Sequence, residues 1–392
     1  MMGSFIAQRA LEIDASGIRK VFDLAAKLKD PINLSIGQPD FDVPEPLKQR
    51  AIEAIRAGKN RYTPTQGVAA LIDRVKATVA RDTGWNDPAA LILSGTSAGL
   101  MLAMFATLNP GDEVLFLDPY FVMYKHLPKM CGAVPVAVDS YPDFRFHAQR
   151  VEAAVTPRTK MLIICSPNNP TGIALSPAEL EAAAAIARKH HLLVISDEIY
   201  DAFCYQQHHS IARLLPEQCI LLKGYSKTYG MTGWRLGYAA ASGEARAVIE
   251  QMTKLQQYTF VCAPSMVQYA ALDTVAGDTT GHGGGGGVDM GPYIEAYRRK
   301  RDRVVAGLGE FFEISQPGGA FYVFPKIPSK PGQPAISATE FVARAIEKNV
   351  LIIPGNVFSA RDTHFRLSYA TADAKLDQGI SILRELGAAL IR

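Results

Sequence analysis

The amino-acid sequence predicts an α/β fold in which helices flank a large, mainly parallel sheet, followed by a smaller α+β domain. Two observations support this prediction. Short apolar runs alternate with amphipathic segments along much of the 392-residue chain, a pattern typical of strands that are buried on both faces and separated by helices. After residue 291 the pattern changes to a long charged helix and a compact mixture of helical and extended segments.

The predicted strands of the large sheet are short and rich in apolar residues. The segments between them have helical periodicity, and segment 177–190 opens with Ser176 as an N-cap and Pro177 as the first helical residue. Alternating strands and helices imply crossover connections, which produce parallel strand pairs. The strand predictions are residues 91–94, 113–118, 160–165, 191–196, 219–223 and 235–240.

A run of five glycines at residues 283–287 cannot form a stable helix or strand, so it predicts a flexible loop near a domain junction. No function is assigned to this run. Beyond it, residues 292–310 predict a long charged helix. We therefore expect an N-terminal arm that packs with the small domain (residues 1–43), a large domain (44–290) and a small C-terminal domain (291–392).

The composition excludes several classes of function. Lys and Arg total 41 against 38 Asp and Glu, and no basic block stands out, so nucleic acid is not an expected partner. The longest apolar stretch, Leu100 to Leu108, is about half the length that spans a bilayer, and the N-terminus lacks the apolar core of a signal peptide. The five cysteines form no CxxC pair, which favours a reducing cytoplasm over a disulfide framework or a metal site.

The strongest chemical signal is the segment GYSKTYGMTGWRLGY at residues 224–238, between two predicted strands. A lone lysine is usually a surface residue, but Lys227 follows a strand end and has Ser226 directly before it. Arg235 introduces an apolar strand, which is a costly place for an unpaired charge. A phosphate partner would offset that cost.

Two further segments place polar groups at strand ends. SGTSAG (94–99) lies between a strand and a predicted helix, and the N–H groups at a helix start favour an anion, although an ordinary turn is the alternative. Asp197 follows an apolar strand, at the edge where open α/β folds bind ligands. Arg366 alternates with apolar neighbours on a later strand, where it suits a carboxylate or is simply exposed.

Several motifs in the same order identify a resemblance that covers almost the whole chain. The sequence resembles the class I/II aminotransferases, the aspartate aminotransferase-like group of enzymes with pyridoxal 5′-phosphate (PLP) and fold type I. The motifs are LSIGQPDF (34–41), RYTPTQG (61–67), SGTSAG (94–99), NPGDEVLFLDPYF (109–121), SPNNPTG (166–172), SDEIY (196–200), the lysine segment, PGGAFY (317–322) and FRLSYA (365–370).

The resemblance implies a role for each matching residue around the pyridine ring. Lys227 is expected to carry PLP as an imine and to move a proton between Cα of the substrate and C4′ of the cofactor. Asp197 is expected to pair with the pyridine nitrogen and so keep the ring an electron sink. Asn169 and Tyr200 are expected at the phenolic oxygen, and Phe121 is expected to stack on the ring.

The resemblance also implies which residues bind anions. Arg366, Gly37 and Asn169 are expected to bind the substrate α-carboxylate. Tyr62 is expected to reach the phosphate from a neighbouring subunit, which requires at least a homodimer. The expected phosphate ligands within the same chain are Gly95, Thr96, Ser97, Ser226 and Arg235.

The expected reaction is transfer of an α-amino group between an L-amino acid and a 2-oxo acid such as 2-oxoglutarate. Many bacterial aspartate-specific relatives have a lysine where this chain has Ser97, and another branch has an arginine near the position of Tyr258. In those relatives these cationic residues bind the second carboxylate of the substrate, and neither is present at the matching position here. Their absence favours a neutral, aromatic or broad range of donors without excluding aspartate. Gly224 stands where some relatives have a phosphate-binding serine, so Ser226 and Arg235 are expected to contribute more.

Two alternatives remain at the level of sequence. The same residues serve other reactions of fold-type I PLP enzymes, including C–S β-lyases and cyclising lyases, because the pocket selects which bond breaks. A member of a different class, an aminotransferase-like sensor that binds ligands without turnover, is the second alternative. The complete set of cofactor residues favours catalysis.

Overall fold

The computed structural model describes residues 5–14, 17, 28–274 and 288–391. The predicted glycine loop at 283–287 lies outside the described residues. The strands are β1 Ile32–Asn33, β2 Ala89–Leu93, β3 Glu113–Asp118, β4 Val134–Asp139, β5 Thr159–Cys165, β6 Leu193–Asp197, β7 Cys219–Gly224, β8 Gly237–Ala241, β9 Tyr322–Val323, β10 Val350–Leu351, β11 Ile353–Pro354 and β12 Phe365–Ser368.

The α-helices are longest at the C-terminal end of the chain. They are α1 Gln8–Leu11, α2 Glu45–Arg56, α3 Ala69–Thr83, α4 Thr96–Thr107, α5 Val122–Met130, α6 Ala148–Ala154, α7 Pro177–His190, α8 Tyr225–Thr228, α9 Arg246–Thr259, α10 Ser265–Thr274, α11 Gly291–Leu308, α12 Ala338–Glu347 and α13 Asp373–Ile391.

Seven strands form one sheet in the order β2-β8-β7-β6-β5-β3-β4. Strand β8 is antiparallel to both of its neighbours, and the remaining pairs are parallel. The predicted α/β class with a mainly parallel sheet is therefore confirmed. Because β2 runs in the same direction as β5, β6 and β7, the carboxyl ends of these strands lie at one edge of the sheet, and the polar motifs follow those ends.

Helices cover both faces of the large sheet. Successive strand residues alternate between two apolar clusters: Leu221 packs in the cluster that contains α3 and α7, whereas Leu222 packs in the cluster that contains α4, α5 and α9. Helix α7 begins as predicted, with a capping box in which the Ser176 hydroxyl accepts from the Glu179 N–H and the Glu179 carboxylate accepts from the Ser176 N–H.

Strand β4 was not among the predicted strands. It pairs with β3 alone, at the edge of the sheet, and its residues alternate irregularly between exposed and buried positions. Pro135 lies within it, and proline is tolerated in a strand only where an N–H is not needed, as at an edge. Residues 134 and 136–138 are apolar as in the central strands, but Pro135 interrupts this run, and a proline within a run argues against a strand.

The C-terminal region contains an antiparallel sheet with the order β11-β12-β9. The segment before α2 joins this region, because β1 pairs in parallel with β10 and Ile32 is the partner of Val350. Two further contacts fix the same segment: the Ser368 N–H donates to the Leu34 carbonyl at 2.8 Å, and Lys300 Nζ lies 2.6 Å from Asp40 Oδ2. Residues 34–40 are thereby held over the carboxyl edge of the large sheet.

The helices that the structure describes include none that is both long enough and apolar enough to cross a bilayer.

Candidate active site

A cavity of about 310 Å³ lies at the carboxyl edge of the large sheet, beneath residues 36–38. The structure brings all but two of the sequence-predicted site residues into its lining. The predicted residues that line it are Gly37, Thr96, Ser97, Phe121, Asn169, Asp197, Tyr200, Ser226, Lys227, Arg235 and Arg366. The two exceptions, Gly95 and Tyr62, are described below.

Lys227 reaches into the cavity from the short helix α8. Its Nζ donates a hydrogen bond to the Gly37 carbonyl at 2.6 Å. Burial lowers the pKa of Lys227 from 10.5 to about 8, and the positive charges of Arg366 and Arg235 act in the same direction, opposed by Asp197. An amine with this pKa is partly neutral near neutral pH, as a nucleophile or general base requires.

Asp197 is the last residue of β6 and is buried, with 3% of its surface exposed. Its Oδ2 accepts a hydrogen bond from the Tyr124 hydroxyl at 2.7 Å, and its Oδ1 accepts one from the Ile199 N–H at 3.3 Å. Burial raises the pKa of Asp197, and the Tyr124 hydroxyl is the largest opposing influence. The sequence interpretation missed Tyr124, although its position one helical turn after Phe121 placed both side chains on one face.

An anion-binding end of the cavity forms where β2 meets α4. No side chain caps the start of α4, so its first N–H groups are available to a ligand. Arg235 lies beside them and donates to the Ser94 and Thr232 carbonyls at 3.3 and 3.1 Å. Among the described residues, no carboxylate is within ion-pair distance of this guanidinium. A positive charge and a helix start therefore converge without a protein anion.

Gly95 does not line the cavity but allows this arrangement. Its φ is +80°, and a Cβ at this position would lie 2.5 Å from Arg235 Nη2. Glycine is therefore required for both the backbone conformation and the approach of the arginine.

Close packing at the anion-binding end of the cavity also explains the glycine at position 224, Gly224. A Cβ there would lie 2.6 Å from Ile199 Cδ1 and 3.0 Å from Thr96 Cγ2. The space that a serine side chain would need is filled by these two neighbours. Within this chain, hydroxyl groups at the anion-binding end therefore come from Thr96, Ser97 and Ser226, which all line the cavity.

Arg366 occupies the opposite end of the cavity. It is 1% exposed, so its place on β12 is not the exposed strand position that the sequence left open. Its Nη atoms donate to Asn169 Oδ1 at 3.1 Å and to the Ser35 carbonyl at 2.7 Å. Its Nε has no partner, and among the described residues no carboxylate pairs with it. A buried guanidinium with unused donors is suited to a carboxylate ligand.

Two rings enclose this guanidinium. The rings of Tyr322 and Phe358 lie 4.6 and 4.7 Å from it, within the range of cation–π contacts. The Tyr322 hydroxyl lies 3.0 Å from the Tyr200 hydroxyl, and a Cβ on Gly37 would lie 3.0 Å from it. Tyr322 is the second residue that the sequence interpretation missed, although the PGGAFY motif contains it.

The neighbouring asparagines have different surroundings. Asn169 is buried and faces Arg366 in the cavity. Asn168 holds the turn instead: its N–H donates to the Ile173 carbonyl at 2.9 Å, and its side chain accepts from the Thr171 hydroxyl at 3.1 Å. Asn168 therefore has a structural role in the turn.

Tyr62 lies outside the cavity of its own chain. It is 83% exposed, and Tyr258 is 85% exposed. Neither residue contributes to the lining within the described residues of one chain.

The residues fit the phosphorylated pyridine aldehyde that the resemblance implies. An arginine without a protein anion lies at the start of α4, where a phosphate would bind. A buried carboxylate, Asp197, and an amine of lowered pKa, Lys227, line the space between this end and Arg366. This donor set matches a ligand with a phosphate, a ring nitrogen and an aldehyde.

The chain matches the family model "Aminotransferase class I and II" over residues 29–383. It is 36% identical to the aspartate aminotransferase of Pyrococcus abyssi over 95% of this chain and 97% of that protein. It is 35% identical to aromatic-amino-acid aminotransferase 2 of Thermococcus litoralis over 97% of this chain and 98% of that protein.

A solved structure, the aspartate aminotransferase from Thermus thermophilus with maleate, superposes with a TM-score of 0.88 and 32% identity. The superposition covers 98% of this chain and 100% of that one. The names of these relatives are all those of aminotransferases, so a lyase or a sensor without turnover is not favoured. The chain belongs to the class I and II aminotransferases and is a PLP-dependent enzyme of the aspartate aminotransferase type.

Proposed function

We propose that this enzyme transfers the α-amino group of neutral or aromatic L-amino acids to a 2-oxo acid such as 2-oxoglutarate. One observation carries the donor preference. Of the described residues that line the cavity, three have cationic side chains, Lys227, Arg235 and Arg366. Each has a proposed role in binding the cofactor or the α-carboxylate, so none of the cationic side chains in the described lining remains for a second carboxylate.

Lys227 is proposed to bind the cofactor covalently and, once released, to move the proton at the substrate Cα. When bound, PLP supplies an electron-withdrawing ring that stabilises charge at Cα. The pKa of about 8 for Lys227 supports this role, because the neutral amine is populated near neutral pH. Asp197 is proposed to pair with the ring nitrogen, and Asn169 and Tyr200 are proposed to donate to the phenolic oxygen.

The remaining residues are proposed to orient the ligands. Phe121 stacks on the ring, and Arg366 binds the α-carboxylate together with Gly37 and Asn169. The proposed phosphate ligands are Gly95, Thr96, Ser97, Ser226 and Arg235. Arg235 supports this assignment because it faces the start of α4 without a carboxylate partner among the described residues.

The part of the cavity left for the substrate side chain is lined by uncharged groups. Of the lining residues without a proposed cofactor role, Ile36 and Tyr322 provide apolar surface, and Gln38 and Thr232 provide hydrogen-bonding groups. We propose that the apolar surface accepts neutral and aromatic side chains, whereas the polar groups accept the distal carboxylate of 2-oxoglutarate. The relatives named for aspartate and for aromatic amino acids are compatible with this breadth.

We also propose a homodimer in the cytoplasm, in which Tyr62 contributes to the phosphate site of the partner subunit. The 83% exposure of Tyr62 supports this, because a large aromatic side chain is free to enter a second copy. All five cysteines are free thiols, in keeping with a reducing compartment. Sedimentation equilibrium tests the dimer, and a monomer with full activity would contradict it.

The experiment that tests the function is a donor panel with 2-oxoglutarate, run on the wild-type enzyme and on Lys227→Ala. We expect glutamate formation from neutral and aromatic donors at a kcat/KM that exceeds that for aspartate by about ten-fold or more, because the described lining has no further cationic side chain for a second carboxylate. Lys227→Ala should lose both turnover and the visible absorption band of the lysine-bound cofactor.

The matched control is Lys189→Ala, which removes a lysine whose side chain is 66% exposed and pairs with Glu152. It should retain the band and turnover. Steady-state transamination by Lys227→Ala would contradict the role of the lysine. A preference for aspartate over every neutral donor would contradict the proposed substrate class alone.

A further inference from the structure

Tyr124 has no role in the function described so far, yet it contacts a central residue of the site. It lies in the first turn of α5, is 2% exposed, and donates from its hydroxyl to Asp197 Oδ2 at 2.7 Å. Its ring packs edge-on against Phe121 at 5.8 Å between centroids. The same helical turn therefore contacts both the proposed stacking residue and the proposed partner of the ring nitrogen.

The titratable groups around Asp197 come from several elements. Tyr124 lies on α5, Cys165 ends β5 beside it, Glu198 is its chain neighbour, and Lys227 approaches from α8. Burial raises the pKa of Asp197, and the Tyr124 hydroxyl lowers it more than any other group does. Burial also raises the pKa of the Cys165 thiol, which therefore stays neutral.

The Tyr124 hydroxyl is a fixed donor. Burial and the charge of Asp197 raise the pKa of Tyr124 well above its ordinary value of 10.0, so it stays protonated across the working range. The Asp197 carboxylate accepts from this hydroxyl at one oxygen and from the Ile199 N–H at the other. Two donors on two oxygens fix the plane of the carboxylate as well as its charge.

We propose that Tyr124 is a positioning residue that keeps Asp197 ionised and oriented towards the ring nitrogen of PLP. This inference rests on the proposed role of Asp197. A buried carboxylate without a donor tends to take up a proton and become neutral. A neutral Asp197 cannot stabilise a protonated ring nitrogen, and the electron withdrawal on which the reaction depends then weakens.

The test compares Tyr124→Phe with the matched control Tyr120→Phe. Both changes remove one hydroxyl from a buried tyrosine of the same segment, and both rings pack against Phe116. Tyr120 is not among the main influences on the pKa of Asp197. The dissociation constant of PLP is measured from about pH 5 to about pH 9, together with kcat and the donor KM.

For Tyr124→Phe we expect the dissociation constant of PLP to rise about ten-fold. The acid limb of the binding profile, where the affinity for PLP falls as the pH falls, should move up by about one pH unit. The sign follows from the lost donor: the pKa of Asp197 rises, so it is protonated at a higher pH. We expect kcat to fall by about ten-fold or more while the donor KM changes little. Tyr120→Phe should keep the wild-type acid limb.

A double-mutant cycle separates positioning from a general structural effect. In the background of Asp197→Asn, which has no carboxylate to ionise, adding Tyr124→Phe should leave the acid limb and the affinity for PLP unchanged. An unshifted acid limb in Tyr124→Phe, or the same loss in both Tyr→Phe variants, would overturn the inference. Failure of the wild-type chain to form the visible band with PLP would instead overturn the proposed site.

Discussion

Two lysines four residues apart have opposite electrostatic environments in this enzyme. Lys223 lies in β7 and Lys227 in the helix that follows directly. Lys223 Nζ is 2.8 Å from Asp201 and 3.7 Å from Glu198, both buried carboxylates. Lys227 donates to a carbonyl and has Arg235 and Arg366 as its nearest source of charge.

The pKa values of the two lysines move in opposite directions for this reason. Burial lowers the pKa of Lys223, but the charges of Asp201, Tyr238 and Glu198 outweigh burial and raise it well above 10.5. For Lys227, burial and two arginines act together and lower the pKa to about 8. The neighbouring charges, and not the residue type, decide the direction in which each pKa moves, and they support the proposed chemical role of Lys227.

The largest expected effect concerns Lys223, the lysine that contacts two buried carboxylates. Lys223→Met removes the cation that Asp201 and Glu198 share, so it leaves buried negative charge that is less compensated. We expect the free energy of unfolding to fall by about 3–5 kcal/mol. Chemical denaturation of the enzyme freed of cofactor measures this value.

Lys227→Met is the matched control, because it removes a partly buried ammonium that no carboxylate contacts among the described residues. We expect its free energy of unfolding to stay near that of the wild type or to rise. An equal loss of stability in both variants would contradict the distinction between the two lysines.

The sequence was sufficient to predict the α/β class and most of the cavity lining. Asp197, Lys227 and the turn at Gly95 each follow a strand, and the carboxyl ends of parallel strands must meet at one edge. Residues at the ends of these strands in the sequence are therefore close to one another in the fold. Strand β4 was the exception, because Pro135 interrupts its apolar run.

Contacts between distant side chains could not be predicted in the same way. The hydrogen bond from Tyr124 to Asp197 spans 73 residues, and the pair of hydroxyls on Tyr200 and Tyr322 spans 122. Both depend on how elements pack and not on the pattern within either element. The different surroundings of Lys223 and Lys227 were hidden for the same reason, since the carboxylates and arginines that decide them come from other segments.

The second prediction tests the lowered pKa of Lys227 through the pH dependence of its reaction with PLP. In the proposed function the neutral form of Lys227 binds PLP, and a pKa lowered to about 8 makes this form abundant at a lower pH than for an ordinary lysine of pKa 10.5. The rate of capture by cofactor-free enzyme should therefore rise with pH, with a midpoint near pH 8. Stopped-flow absorbance measures the rate, with Nα-acetyl-lysine as the reference amine. A midpoint shared by enzyme and reference would contradict the prediction.

The smallest expected effect concerns the arginine that helps to lower this pKa. Arg366→Gln removes one positive charge near Lys227, so protonation of the amine becomes less unfavourable and its pKa rises. The midpoint for PLP capture should move to higher pH, by less than the shift that separates wild-type Lys227 from a free lysine, because burial is the larger cause and remains. Arg384→Gln is the control for loss of charge, since Arg384 pairs with Glu310 and has no influence on Lys227. If the midpoint is unchanged in both Arg366→Gln and Arg384→Gln, Arg366 does not lower the pKa of Lys227, and the contrast with Lys223 then depends on burial, on Arg235 and on the carboxylates around Lys223.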